Sequence, residues 1–327
     1  MWLPWDRLPE EPHARHARLR EYFCDRDAVA TPENGGWQLE FRWPDEPERH
    51  VDPMLSDQLK GWAPRLGEMV KTVRRHGRVT TALYDTWTLV SWAEWAAASR
   101  PPRDAHLTIL HVDDHRDLMS PRLFAEGGGW RDPIAGGAFD FGEPGSVRRA
   151  LESGAVGMGS FLTPVLHAFP SAEVRHLCQP PKAPATDVFE IHRDLQLDDL
   201  IDLDAARPAI TLAPAERPGA GRYMLTPHIG DWLKDLAPGP VLLHIDMDYF
   251  NNRFDGDGDW AERPQRLDPP AEAVIARIRS VAEALRRGSL LARIEDAVIA
   301  YSPGFFPSEL WDAAERALRE ELEPLYA

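Results

Sequence analysis

Basic residues are in short supply in this chain: 37 Lys and Arg stand against 53 Asp and Glu in 327 residues, a formal net charge of −16. That balance argues against nucleic acid or an anionic membrane as the main partner, and it suits a cationic substrate. Cysteine is scarcer still. Cys24 and Cys178 are the only two, too few for a disulfide framework, so a reducing, cytoplasmic setting is the default expectation. No apolar run is long enough to span a bilayer. The start, Met1-Trp2-Leu3-Pro4-Trp5-Asp6, lacks the basic region and apolar stretch of a signal peptide. There is no internal repeat and no His-His pair, and Gly127-Gly128-Gly129 lacks the lysine of a phosphate-binding loop, which makes it a turn or lid.

What is present reads as a globular α/β protein, 43% hydrophobic and 28% charged, with 12 Trp and 30 Pro. Residues 1–75 show no β/α alternation and are expected to be an extension packed on or beside a core domain of residues 76–327. Within that extension His13–Phe23 reads as a short helix, and Trp37–Trp43 as a strand with alternating polarity. From Arg78 on, strand-like runs alternate with helical ones. The strands are Val79–Tyr84, Leu107–Val112, Asp187–His192, Val241–Leu243 and Ala297–Tyr301. The helices are Trp87–Trp95, Ser146–Leu151, Pro270–Arg287 and Glu309–Leu322. Arg207–Gly221, rich in Pro, Ala and Gly, is expected to be an exposed loop. The pattern predicts a three-layer α/β/α fold whose mostly parallel sheet is covered on both faces, with ligands beyond the carboxyl ends of its strands.

Two of those strand ends carry the chemistry. His111-Val112-Asp113-Asp114-His115-Arg116-Asp117 follows one apolar run, and His244-Ile245-Asp246-Met247-Asp248-Tyr249-Phe250 continues another. Alternate residues of a strand share a face, so Asp113, His115 and Asp117 can converge, as can Asp246 and Asp248. Buried carboxylates crowded together are costly unless a cation lies among them. Four carboxylates and one imidazole make a hard, oxygen-rich site that suits Mn²⁺ better than Zn²⁺, with Zn²⁺ and Fe²⁺ left open by the imidazole. Two ions a few ångströms apart would lower the pKa of a shared water toward neutrality. His111 and His244 lie two positions before the strand-end aspartates and are expected to be hydrogen-bonded core residues rather than ligands. Asp255-Gly256-Asp257-Gly258-Asp259 lacks the distal glutamate of an EF-hand loop and reads as a mobile loop near the site.

These motifs resemble those of the arginase and ureohydrolase superfamily, and most closely its diverged branch of peptide arginases, which convert arginine to ornithine inside ribosomally made peptides. The resemblance rests on Val112-Asp113-Asp114-His115-x-Asp117-Leu118, Ile245-Asp246-x-Asp248-Tyr249-Phe250 and Ser302-Pro303-Gly304-Phe305, and runs in order over roughly residues 78–310. It implies two manganese ions bridged by Asp113 and Asp246. Asp117 would complete one ion and orient the attacking hydroxide as the catalytic residue, and His115 and Asp248 would complete the other. The histidine that arginases contribute from an earlier strand is missing. Asp85 stands there instead, to serve as a sixth ligand or only as a helix N-cap.

The last-strand carboxylate that grips the guanidinium is also missing, since Ala300 occupies its position. Asp114, Asp140 and Asp255 are candidates for that grip, and Asp114, Asn251 and Ser302 are expected to contact substrate. The function implied is hydrolysis of peptide arginine to ornithine and urea. The alternatives are a ureohydrolase of a small free guanidino compound such as agmatine, a metal-dependent deacetylase, and an inactive module that binds arginine peptides.

Overall fold

Buried apolar runs with helices between them build one mixed, mostly parallel sheet of nine strands in the computed structural model, which describes residues 1–46, 50–62, 65–262 and 268–327. Its strands are β1 (Val73–His76), β2 (Val79–Ala82), β3 (Thr108–Val112), β4 (Glu173–Leu177), β5 (Asp187–Leu197), β6 (Ala206–Pro214), β7 (Arg222–Thr226), β8 (Val241–Asp246) and β9 (Ile294–Ala300). They lie side by side in the order β6-β5-β7-β4-β3-β8-β9-β2-β1. From β7 through β2 every neighbouring pair is parallel, whereas β1, β5 and β6 run antiparallel to their neighbours. Every residue of β2, β3, β4 and β8 is buried. A central parallel strand, shielded on both faces, has no solvent side on which to alternate.

The helices of seven residues or more among the described residues are α1 (Pro12–Phe23), α2 (Trp87–Ser99), α3 (Pro144–Ser153), α4 (Leu162–Ala168), α5 (Ala271–Arg287) and α6 (Trp311–Glu321). The crossovers β2-α2-β3 and β3-α3-α4-β4 move across the sheet in one direction, and β8-α5-β9 moves in the other. Right-handed crossovers therefore place α2–α4 on one face and α5 on the opposite one. The packing agrees, since α2 touches α3 and α4 while α5 touches α6. The direction reverses between β3 and β8, which opens a crevice at their carboxyl ends. The two acidic motifs leave the sheet at that point.

The nine-stranded sheet differs from the sequence reading at β6, β4 and β7. Residues 207–214 of the expected loop belong to strand β6, paired along its length with β5. Its prolines are tolerated because β6 is an edge strand, where one side of the ladder needs no donor. β4 and β7 carry no apolar signature that separates them from loops. In β4, Glu173 and Arg175 are buried against each other, so charge that reads as surface is paired inside the sheet. Gly127 and Gly128, both at positive φ, form the two-residue turn of a hairpin between Phe124–Glu126 and Gly129–Arg131.

The first 42 residues form a small unit of their own. Strands Trp2–Pro4, Asp27–Glu33 and Gly36–Arg42 make an antiparallel sheet, and with α1 they enclose a core of Leu3, Leu19, Phe23, Trp37 and Leu39. Leu200 from the main body enters that core, and Tyr22 Oη donates to Asp198 Oδ1 at 2.6 Å. Leu55, Leu59, Met69 and Val70, also in the expected extension, instead join the main core.

Candidate metal centre

The site is built where β2, β3, β8 and β9 end. Asp113 directly follows β3, Asp246 closes β8, Asp85 lies three residues beyond β2, and Ser302 two beyond β9. Asp117 has φ +54°, a left-handed turn that brings the chain back over the strand end. Asp85, Asp113, Asp117, Asp246 and Asp248 are each between 1% and 6% exposed. Such burial of five carboxylates is the expense anticipated from the sequence.

Asp113 is the centre of the geometry. Its Oδ1 accepts from the His115 backbone N–H at 2.6 Å and lies 3.7 Å from His115 Nδ1. Its Oδ2 lies 3.4 Å from His244 Nε2 and 3.7 Å from His111 Nε2, and Asp117 Oδ2 is also 3.7 Å from His111 Nε2. His115 Nδ1 is 2.8 Å from Asp248 Oδ2. Asp246 accepts from the Asp248 backbone through Oδ1 and from the Ser302 hydroxyl through Oδ2. Asp85 Oδ2 accepts from Gly159 N at 2.8 Å. Among the described residues, Asp85 Oδ1, Asp113 Oδ2, Asp117 Oδ2 and His244 Nε2 are buried with no hydrogen-bond partner. Orphaned buried acceptors demand a reason. The set His111, Asp113, Asp117 and His244, and the set Asp113, His115 and Asp248, each bring their donor atoms within 4.8 Å of one another. The buried cluster could hold a metal ion.

The electrostatics point the same way. Burial pushes Asp85 up to about 7, with the charges of Asp113 and Asp25 adding to it. Burial and then the Asp113 charge raise Asp248 to about 7. Asp117 and Asp246 are driven well above the ordinary carboxylate range by burial and their carboxylate neighbours. Asp113 is the exception: burial opposes its charge, but His115 and His244 outweigh that and hold it well below the usual range. Each raised group needs a proton or a cation to be at ease. No family model matches this sequence, and no curated protein is significantly similar to it.

The carboxylates open into a cavity of about 620 Å³. Asp85, Asp117, Asp246, Asp248, His115 and Ser302 line it, together with apolar side chains that include Tyr84, Met158, Pro303 and Phe305. Cys24, Asp25, Pro44, His50 and Val51 line it from the N-terminal region. Sequence reasoning missed that contribution, because no motif marks those positions.

The remaining expected residues divide. Ser302 lines the cavity and holds Asp246. Asp114 is not among the lining residues; its Oδ2 meets Lys182 Nζ at 2.7 Å and Asn252 Nδ2 at 2.8 Å. Asn251 is turned away, donating to Asp268 Oδ1 and the Pro269 carbonyl. Asp140 accepts from Gly142 N in an exposed turn. His111 and His244 are buried with hydrogen bonds to the His115 carbonyl and to Thr88 Oγ1. His176, which the sequence reading passed over, pairs in register with His111, and His111 with His244, across β4, β3 and β8. Phe161 packs against this row, its ring 4.6 Å from that of His244 and 5.7 Å from Trp92. Phe161→Ala is expected to lower stability by about 3–5 kcal/mol in denaturant unfolding, because the fully buried ring leaves a cavity.

Asp255 belongs to the site through His115. Its Oδ1 lies 3.1 Å from His115 Nε2 and is held by Asn252 Nδ2 at 3.0 Å. A carboxylate on one imidazole nitrogen fixes the tautomer and frees the other nitrogen to ligate. Asp255→Asn is therefore expected to weaken the affinity for a divalent metal ion roughly 10–100-fold, measured by titration calorimetry.

Proposed function

We propose that this chain is a binuclear manganese hydrolase with an arginase-like three-layer α/β/α fold, one that converts arginine side chains of a peptide to ornithine and releases urea. The observation that carries the reading is Asp113, whose Oδ1 faces His115 and whose Oδ2 faces His111 and His244. One carboxylate set between two groups of donors is what a bridged pair of ions requires. Asp85, Asp117 and Asp246 would complete one ion, and His115, Asp246 and Asp248 the other. The pair would supply hydroxide from water near neutral pH.

The residues around it suit a guanidinium. That group stays charged at any physiological pH, and the acidic floor attracts it. Water adds at the guanidinium carbon, the bond to the side-chain nitrogen breaks, and that nitrogen leaves with a proton as the ornithine amine. Asp117, which lines the cavity, would hold and pass the proton. Ser302 keeps Asp246 oriented. The apolar wall favours the neutral amides flanking an arginine in a peptide over the charged ends of the free amino acid. The test is incubation of Mn²⁺-loaded protein with an arginine-containing peptide, free arginine and agmatine. Urea with peptide ornithine is the expected product. Urea from the small compounds alone would move the assignment to a free guanidino substrate, and no urea from any of them would end the hydrolase reading.

A further inference from the structure

The row of buried histidines beneath the carboxylates holds two nitrogens with no hydrogen-bond partner among the described residues, His111 Nδ1 and His244 Nε2, and it is His244 Nε2 that stands 3.4 Å from a carboxylate oxygen. His176 has both nitrogens engaged, Nε2 with the Asp113 carbonyl at 2.9 Å and Nδ1 with Tyr223 Oη at 2.6 Å. His111 directs Nε2, its nitrogen toward the carboxylates, at the His115 carbonyl at 3.1 Å. His244 is different. Its Nδ1 meets Thr88 Oγ1 on α2 at 2.9 Å, while Nε2 is fully buried with no partner among the described residues. The ring is wedged between Phe161, at 4.6 Å, and His111, at 5.2 Å, so it cannot swing that nitrogen elsewhere.

Opposite Nε2 lies Asp113 Oδ2 at 3.4 Å, itself unpartnered, and Asp117 Oδ2, unpartnered too, belongs to the same group of donors. The Nε2 to Oδ2 approach lacks hydrogen-bond geometry. Its length is one that two ligands of a single ion span: bonds of about 2.1–2.2 Å at angles between about 90° and 110° separate ligand atoms by roughly 3.0–3.6 Å. We propose that His244 is a metal ligand, its Nε2 completing the ion held by Asp113 Oδ2 and Asp117 Oδ2. Thr88 then acts as the positioning residue, its Oγ1 accepting a hydrogen bond from Nδ1–H so that the lone pair sits on Nε2. The ligand comes from inside a strand and two residues before the acidic motif. This assignment rests on the metal-hydrolase reading above and adds a nitrogen donor to it.

The experiment uses the full chain, stripped with a chelator and titrated with Mn²⁺ alone by equilibrium dialysis, together with a crystal structure using manganese anomalous scattering. His244→Asn removes Nε2 while keeping a polar group near Thr88. His176→Asn disturbs the same row at a ring whose nitrogens are already engaged. The expected result is two Mn²⁺ per wild-type chain, one of them about 2.0–2.3 Å from His244 Nε2. His244→Asn should lose one equivalent, or bind it at least 100-fold more weakly, while His176→Asn keeps both. Wild-type affinity in His244→Asn, or no anomalous peak within about 3 Å of Nε2, overturns the assignment. Two ions bound with neither on His244 removes this ligand and leaves the hydrolase reading standing, whereas no Mn²⁺ bound by the wild type removes both. If His244→Asn does not fold, the wild-type anomalous map decides.

Discussion

On the proposed hydrolase reading, Asp113→Asn is expected to abolish the binding of both metal ions and to lower urea release by roughly 10³-fold or more, the equivalent of about 4 kcal/mol of barrier. The reason is the division of labour between its two oxygens. Oδ1 looks toward His115 and Oδ2 toward His244 and His111. An amide keeps the shape but offers one weakly donating oxygen and a nitrogen that cannot ligate, so it cannot serve both groups. The same substitution should leave the fold intact. Asp113 is the charge that helps raise Asp85, Asp117, Asp246 and Asp248, so removing it relieves its neighbours in the metal-free protein. Metal content by mass spectrometry, and urea release under saturating Mn²⁺, check the two parts separately. Full occupancy in Asp113→Asn would exclude Asp113 as the bridge.

Removing the metal should make stability fall as pH rises from about 6.5 to 9. Asp85 and Asp248 have folded-state pKa values near 7, and those of Asp117 and Asp246 lie well above the ordinary range. A group whose pKa is raised by folding contributes stability that is complete below its unfolded value and is lost as pH climbs through the folded one. His111 and His176 work in the other direction, because burial lowers both, His176 to about 4. Their contribution grows with pH, but it is complete once the unfolded imidazole has titrated, near 6.5. Above that point the raised carboxylates act together with His115, whose pKa is raised because the effect of burial is outweighed by Asp248, Asp113 and Asp255. The melting temperature of chelator-treated protein should drop by roughly 5–10 °C. Mn²⁺ should reverse the trend, since cations replace the protons and bind more tightly as those protons leave. Differential scanning calorimetry at several pH values, with and without Mn²⁺, gives the sign directly. A flat profile in chelator would mean that the five carboxylates do not crowd as described.

What could be read in advance was local. A strand alternates its side chains over two residues, so the convergence of Asp113, His115 and Asp117, or of Asp246 and Asp248, is contained in seven-residue stretches. The amphipathic helix α5 is as local, its apolar positions Val274, Ile278, Val281 and Leu285 recurring on one face and all buried. β4 and β6 were not legible because their character depends on their neighbours. Glu173 and Arg175 are interior because they pair with each other and with His106 and the Lys234 carbonyl, and the prolines of β6 are tolerable only at an edge. Asn251 and Asp114 were plausible by position along the chain, yet Asp268 and Lys182 claim them.

By itself, then, the sequence determined that acidic groups would crowd at the ends of buried strands, since period-two geometry and the cost of buried charge follow from residue order alone. Only the tertiary structure decided that β3 and β8 would be neighbours at the reversal of the sheet, and that His176, His111 and His244 would stand in one register beneath the acids. The N-terminal unit's share in the cavity wall belongs to the same level. Those facts depend on strand pairing between segments more than sixty residues apart, and no short-range pattern encodes which distant strand will lie alongside.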